Sequence, residues 1–154
     1  TVASNLRYGK ADASDGEIRE AARVAQAASF VEAMQGGYDA AIAEGGTNVS
    51  GGQKQRLSIA RALVKKPPVY VFDDTFSALD FKTDAALRAA LRKFTGDATV
   101  LIVAQRINTI MNADRIVVLD EGRVAGIGTH RELLKTCEVY REIAESQLTG
   151  EELQ

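Results

Sequence analysis

Two short apolar runs, Val69-Tyr70-Val71-Phe72 and Thr99 to Ala104, constrain the fold of this chain more than any other feature of its sequence. The first is bounded by Pro67-Pro68 on one side and Asp73-Asp74 on the other. Runs that are apolar at every position, rather than at alternate ones, are expected of strands buried on both faces of a parallel sheet. Between them, from Lys82 to Phe94, the residues Ala85, Leu87, Leu91 and Phe94 recur at helical spacing. The result is a strand-helix-strand unit, which predicts an α/β fold with a mostly parallel sheet flanked by helices. Arg115 to Leu119 reads as a third strand, Glu121-Gly122 as a tight turn, and Arg123 to Ile127 as a shorter strand returning antiparallel.

Helices are expected on either side of this unit. Ser14-Asp15-Gly16-Glu17 has the form of a capping box, and Ile18, Ala21, Ala22, Ala25 and Ala28 follow at helical spacing, so one alanine-rich helix is predicted to end near Gly36-Gly37. A loop, Glu44-Gly45-Gly46-Thr47-Asn48, precedes a second helix from about Gly51 to Lys65, which Pro67-Pro68 stops. Thr129-His130-Arg131-Glu132 is a second capping box, opening a final helix that carries Leu133, Leu134, Val139, Tyr140 and Ile143. The tail from Thr149 is expected to fray. Tyr38 and Phe30 are expected in the core.

With 154 residues and 45% hydrophobic content, the chain is long enough for one compact domain. Its net charge of -2 arises from 21 acidic and 19 basic side chains spread along the whole length. No basic run or basic amphipathic helix stands out, so neither nucleic acid nor direct lipid binding is expected. The single Cys137 excludes an intramolecular disulfide and fits a reducing, cytosolic compartment. Apolar stretches such as Thr99 to Ala104 fall far short of the roughly 20 residues that a membrane helix needs. If the protein works at a membrane, another segment must hold it there.

The chemistry concentrates around Asn48-Val49-Ser50-Gly51-Gly52-Gln53. A serine and two glycines at a helix start place a hydroxyl and unpaired backbone amides where an anion can meet the positive end of the helix dipole. Alone, such a string can also be an ordinary serine N-cap with a flexible glycine pair. It is followed, however, by Gln53-Lys54-Gln55-Arg56-Leu57-Ser58-Ile59-Ala60-Arg61-Ala62-Leu63, then two prolines, an apolar strand, Asp73-Asp74, and Ser77-Ala78-Leu79-Asp80. That order resembles the signature helix, Walker B strand and D-loop of ATP-binding-cassette (ABC) nucleotide-binding domains, a P-loop NTPase-like fold. The resemblance covers nearly the whole chain. Thr1 to Gly9 looks like the segment after the family's glutamine loop, Glu44-Gly45-Gly46 like the loop that couples exporter cassettes to transmembrane domains, and Gly128-Thr129-His130 like a common family ending.

The resemblance implies that ATP and Mg2+ are bound, with Asp73 holding the ion through water. Three departures qualify it. The next family residue is a glutamate that polarises the attacking water, but this chain has Asp74, one methylene shorter. A shift of roughly 1 Å can cost about 10²-fold, so weak or absent hydrolysis is expected. A family histidine that contacts the γ-phosphate is replaced by Gln105, which donates a hydrogen bond but cannot become a cation. The one histidine of the chain, His130, lies in the first turn of the last helix, where it reads as an exposed helix residue. Finally, no Gly-x-x-x-x-Gly-Lys-Ser/Thr loop is present. The chain is therefore expected to be the carboxy-terminal portion of a cassette: about 10–66 the helical signature subdomain, 67–148 the rest of the α/β core, and 149–154 the frayed tail. By itself it is expected to be inactive and to bind ATP weakly.

Cassettes of this family face each other head to tail, so each nucleotide lies between the P-loop and Walker B of one and the signature of the other. The resemblance then implies that Asp74 and Gln105 weaken the site this chain forms with its own P-loop, while Ser50, Gly51, Gly52 and Gln53 complete the partner's. This pattern is similar to the degenerate subunit of heterodimeric, multidrug-type exporters at the cytoplasmic face of the cell membrane. Asp80 can report across the dimer, cap the following helix, or do both; Glu44 can face a transmembrane domain or solvent. Two other classes stand beside this reading: a non-hydrolysing regulatory module using the cassette fold to dimerise, and a chromosome-maintenance ATPase. The latter is disfavoured by the exporter-type loop before the signature.

Overall fold

A computed structural model describes residues 1–149, so the part of the expected frayed tail at 150–154 lies outside the described residues. The described chain forms two compact units, Thr1–Val103 and the segment from Ala104 onward. Each has its own apolar core.

The first unit is organised around a long helix. Helix α1 spans Val2–Arg7, α2 Asp15–Val24, α3 Ala28–Ala33 and α4 Gly51–Lys65, with single 3-10 turns at Gly37–Asp39 and Glu44–Gly46 between α3 and α4. Leu57, Ile59, Ala60, Leu63 and Val64 of α4 are buried among Val2 and Leu6 of α1 and Ile18, Ala21 and Ala22 of α2. Close packing of α1 on α4 depends on Gly9: a Cβ there would lie 2.3 Å from the carbonyl oxygen of Arg61, well inside non-bonded carbon-oxygen contact. Asn5 adds a polar tie by accepting a hydrogen bond from Arg61 at 3.2 Å.

The sequence predicts one helix from Ser14 to Gly36-Gly37, but the structure divides it. At its end, α2 closes in a Schellman arrangement: Ala27 N–H donates to the carbonyl of Ala22 (2.7 Å), Gln26 N–H to that of Arg23 (3.1 Å), and Gln26 takes a left-handed φ of 57°. Glycine is the usual residue at this position, and its absence hides the break. Arg56 of α4 stabilises the strained turn by donating to the Gln26 carbonyl at 2.7 Å, with its guanidinium over the ring of Phe30. Tyr38 is buried as expected; Phe30 is only half-buried.

Strands β1 (Val69–Asp73) and β2 (Thr99–Val103), joined by α5 (Phe81–Thr95), pair in parallel with Val71 opposite Leu101. The strand-helix-strand unit is therefore present, but burial on both faces is not. Tyr70 and Phe72 point into the core, whereas Val71 is 62% exposed and Leu101 54%. The reason is simple: this sheet has two strands, and among the described residues of the unit nothing covers the side carrying Val69, Val71, Leu101 and Val103.

In the second unit, α6 (Ile107–Ile110), β3 (Ile116–Asp120), β4 (Arg123–Gly128), α7 (His130–Thr136) and α8 (Glu138–Gln147) follow in order. Strands β3 and β4 pair antiparallel around the Glu121-Gly122 turn. The predicted final helix is again two: Cys137 is extended (φ -122°, ψ 106°) and separates α7 from α8. Its buried sulfur packs against Gly126, where a Cβ would meet Sγ at 3.0 Å, and its carbonyl starts α8 by accepting from Arg141. Short helix α6 carries no periodicity long enough to be read from sequence.

The capping box at Ser14 makes a test of local electrostatics. Glu17 accepts from Lys10 Nζ at 2.6 Å and from the Ser14 backbone N–H at 2.9 Å. These donors, Lys10 first, hold its carboxyl well below the ordinary value, at about 2. Because the folded value lies below the unfolded one, the stabilisation is complete above the ordinary glutamate pKa and is lost as the pH falls toward 2. Acid denaturation followed by circular dichroism should therefore be shallower for Glu17→Gln, which keeps the reach to Ser14 N–H but does not titrate, than for the native chain across that window.

Candidate functional site

Helix α4 begins with reciprocal hydrogen bonds. Ser50 Oγ accepts from Gln53 N–H at 3.3 Å, and Gln53 Oε1 accepts from Ser50 N–H at 2.8 Å. The first helical bond runs from Lys54 N–H to the Ser50 carbonyl. Gly51 and Gly52 occupy the first two helical positions, whose amides have no carbonyl one turn back to bond. No heavy atom lies within 4 Å of the place a Cβ on Gly51 would take. The turn therefore presents open space, two backbone donors and the Ser50 hydroxyl at the positive end of a 15-residue helix. Capping and anion binding are compatible here, since Ser50 uses an oxygen lone pair for the cap and keeps its hydroxyl hydrogen.

The loop before this turn is braced by residues to which the sequence assigns no separate role. Asn48 bonds twice across it, accepting from Ala43 N–H at 3.0 Å and donating to the Ala41 carbonyl at 2.8 Å. Lys54, from the first turn of α4, donates to the Gly45 carbonyl at 2.9 Å. Gly45 and Gly46 both take positive φ, 66° and 65°, and Glu44 is exposed beside them.

Asp73 ends β1 and Asp74 follows it, both exposed. Asp74 has φ 47°, a left-handed conformation that aspartate tolerates better than most residues, and its N–H donates to the Val103 carbonyl at 3.0 Å. Ser77 Oγ donates to the Asp74 carbonyl at 3.0 Å, tightening the turn that leads on. Leu79 is buried, while Ala78 and Asp80 are exposed. Asp80 caps α5, accepting from the backbone N–H and hydroxyl of Thr83; these donors lower its pKa. The N-cap reading of Asp80 thus holds. The segment Ala78-Leu79 lies against the start of α4: Ala78 N–H donates to Gln55 Oε1 at 3.3 Å.

Gln105 belongs to the second unit and is exposed. Gln147 of α8 brackets its segment, donating to the Gln105 carbonyl and accepting from Ile107 N–H, each at 2.9 Å. No sequence signal marks Gln147, because the contact joins residues far apart in the chain. His130 is half-buried rather than exposed: its Nδ1 lies 2.8 Å from the Tyr140 hydroxyl, which ties α7 to α8.

The family described as ABC transporter matches residues 1–77, half of the chain. The chain belongs to the ABC transporter family. An uncharacterized ABC transporter ATP-binding protein of Mycobacterium tuberculosis is 50% identical over 150 residues, covering 96% of this chain and 25% of that protein. The ATP-dependent lipid A-core flippase of Hahella chejuensis is 43% identical, with 97% and 26% covered. The human mitochondrial potassium channel ATP-binding subunit is 45% identical, with 96% and 20% covered. A solved structure of a bacterial Atm1-family ABC exporter with ATP bound superposes with a TM-score of 0.92 at 40% identity, over 97% of this chain and 26% of that one. This ABC chain thus has the fold of part of an exporter cassette and spans about a quarter or less of the length of these relatives.

Among the described residues no three potential metal-ligating side chains cluster. One exposed carboxylate at a strand end still suits Mg2+, which is commonly held by one or two carboxylates together with phosphate oxygens and water.

Proposed function

We propose that this chain supplies one cassette of an ABC exporter in which its own nucleotide site is degenerate and its signature turn completes the site of a different, facing cassette. The observation that carries this reading is the contrast between an intact phosphate grip at Ser50–Gly52 and the replacements Asp74 and Gln105 at the two positions that activate water in the family. In this reading residues 10–66 are the signature subdomain, 67–148 belong to the α/β core, and a P-loop and transmembrane domains lie elsewhere in the assembly, with the cassette at the cytoplasmic face of the membrane. The uncovered apolar side of β1 and β2, which carries Val71 and Leu101, fits a sheet face that another layer of the assembly covers.

Each residue then has a chemical task. The Gly51 and Gly52 amides and the Ser50 hydroxyl donate to phosphate oxygens of ATP held by the partner, and Gln53 holds Ser50 in place. Asp73 would hold Mg2+, which when bound would supply positive charge to offset that of the phosphates. Asp74 is too short to bring its carboxylate to the attacking water, and Gln105 can hold a phosphate oxygen without changing its charge. Ser77-Ala78-Leu79-Asp80 forms the D-loop, and Glu44-Gly45-Gly46 faces the transmembrane partner, braced by Lys54 and Asn48. The regulatory-module alternative predicts that turnover of the assembly is indifferent to the signature.

Two experiments on the complete transporter separate these readings. Gly51→Asp places a carboxylate where the phosphate binds, while an acidic residue in a first helical turn does not harm α4; ATP turnover should fall by about 10²-fold or more. Unchanged turnover would remove the proposal. In the opposite direction, Asp74→Glu combined with Gln105→His should raise hydrolysis at this chain's own site, measured with the partner's site disabled. No gain would show that these two residues are not what limits it.

A further inference from the structure

The signature turn and the D-loop touch within this chain, and the contact has two independent parts. Ala78 N–H donates to Gln55 Oε1 at 3.3 Å. Beside it, Gly52 lies so close to the same segment that a Cβ would sit 3.3 Å from the Ala78 carbonyl oxygen and 3.8 Å from Leu79 Cδ2. Leu79 is 6% exposed and anchored in the core, and Asp80 is fixed as the cap of α5. The Gly52 carbonyl in turn accepts from Arg56 Nε at 3.2 Å, and the same guanidinium donates to the Gln26 carbonyl. Gly52, whose amide is one of the two proposed phosphate donors, is thus held through its carbonyl by Arg56 and lies against the D-loop at its Cα.

We propose that Gln55 is a positioning residue that fastens the D-loop backbone to the signature helix, so that the two segments facing the partner cassette respond as one body when phosphate is gripped. The proposal rests on the reading that Ser50–Gly52 completes the partner's site. Without the Gln55 bond, the Ala78 N–H loses its acceptor and the D-loop can shift while Gly52 stays on the phosphate. Such a shift alters the reaction step more than nucleotide affinity, because the grip itself is untouched. An acceptor is the whole requirement, so glutamate should serve where methionine, of similar length and helix propensity, should not.

The test uses the complete transporter and three variants. With Gln55→Met, kcat for ATP should fall about tenfold while KM stays within about twofold and the melting temperature is unchanged. With Gln55→Glu, kcat should remain within about twofold of the parent. A Gln55→Met transporter with parental kcat, or equal losses in the methionine and glutamate variants, overturns the inference. Gly51→Asp serves as the reference: if it leaves turnover intact, the underlying reading fails and this inference with it. If it abolishes turnover while Gln55→Met does nothing, this inference alone fails. Should the methionine variant not fold, Gln55→Lys, of similar length but with donors only, takes its place under the same criteria.

Discussion

The hydrogen bonds exchanged by Ser50 and Gln53 start α4, and the first unit of the structure is arranged around the helix they start. With the cap in place, α4 packs its apolar side on α1 and α2, lends Arg56 to the strained turn at Gln26, lends Lys54 to the loop at Gly45, and meets Ala78 through Gln55. An N-cap of this kind contributes about 1 kcal/mol, small against the burial of Leu57, Ile59, Leu63 and Val64. Its larger consequence is geometric, because it fixes where the unbonded amides of Gly51 and Gly52 point. In the proposed function, structural and chemical duties fall on the same atoms, so a serine cap and a phosphate grip are not competing descriptions.

Elements whose signals are local were legible in the sequence. Helix α4 was bounded by Ser50 and Pro67, the strand-helix-strand unit by its two apolar runs, and the β3-β4 hairpin by Glu121-Gly122. The two missed helix breaks share a cause. Gln26 and Cys137 break helices without glycine or proline, using a left-handed turn that Arg56 supports and an extended residue whose sulfur fills the space beside Gly126. Those partners are distant in sequence, so periodicity ran through both breaks. The apolar runs suggested strands covered on both sides; they record what the residues need, and the two-stranded sheet leaves Val71 and Leu101 uncovered.

The candidate site was legible to the extent that it is a string. Ser50-Gly51-Gly52-Gln53, Asp73-Asp74 and Ser77 to Asp80 could be named in advance, and family membership follows from the match over residues 1–77. The side chains that hold these segments in place could not: Asn48 and Lys54 brace the loop, Gln55 meets Ala78, and Gln147 brackets Gln105. Each makes a hydrogen bond to backbone, which leaves no pattern in composition or spacing. His130 was understood only in part, since its partner Tyr140 comes from the next helix.

The proposed function turns on an asymmetry: hydrolysis belongs to the site completed by this chain's signature and not to the site built on Asp74. The most direct measurement traps nucleotide during turnover in the complete transporter and identifies the product held on each cassette by photo-crosslinking. ADP is expected on the partner cassette and uncleaved ATP on the cassette that contains Asp74 and Gln105. Equal amounts of ADP on the two would contradict it.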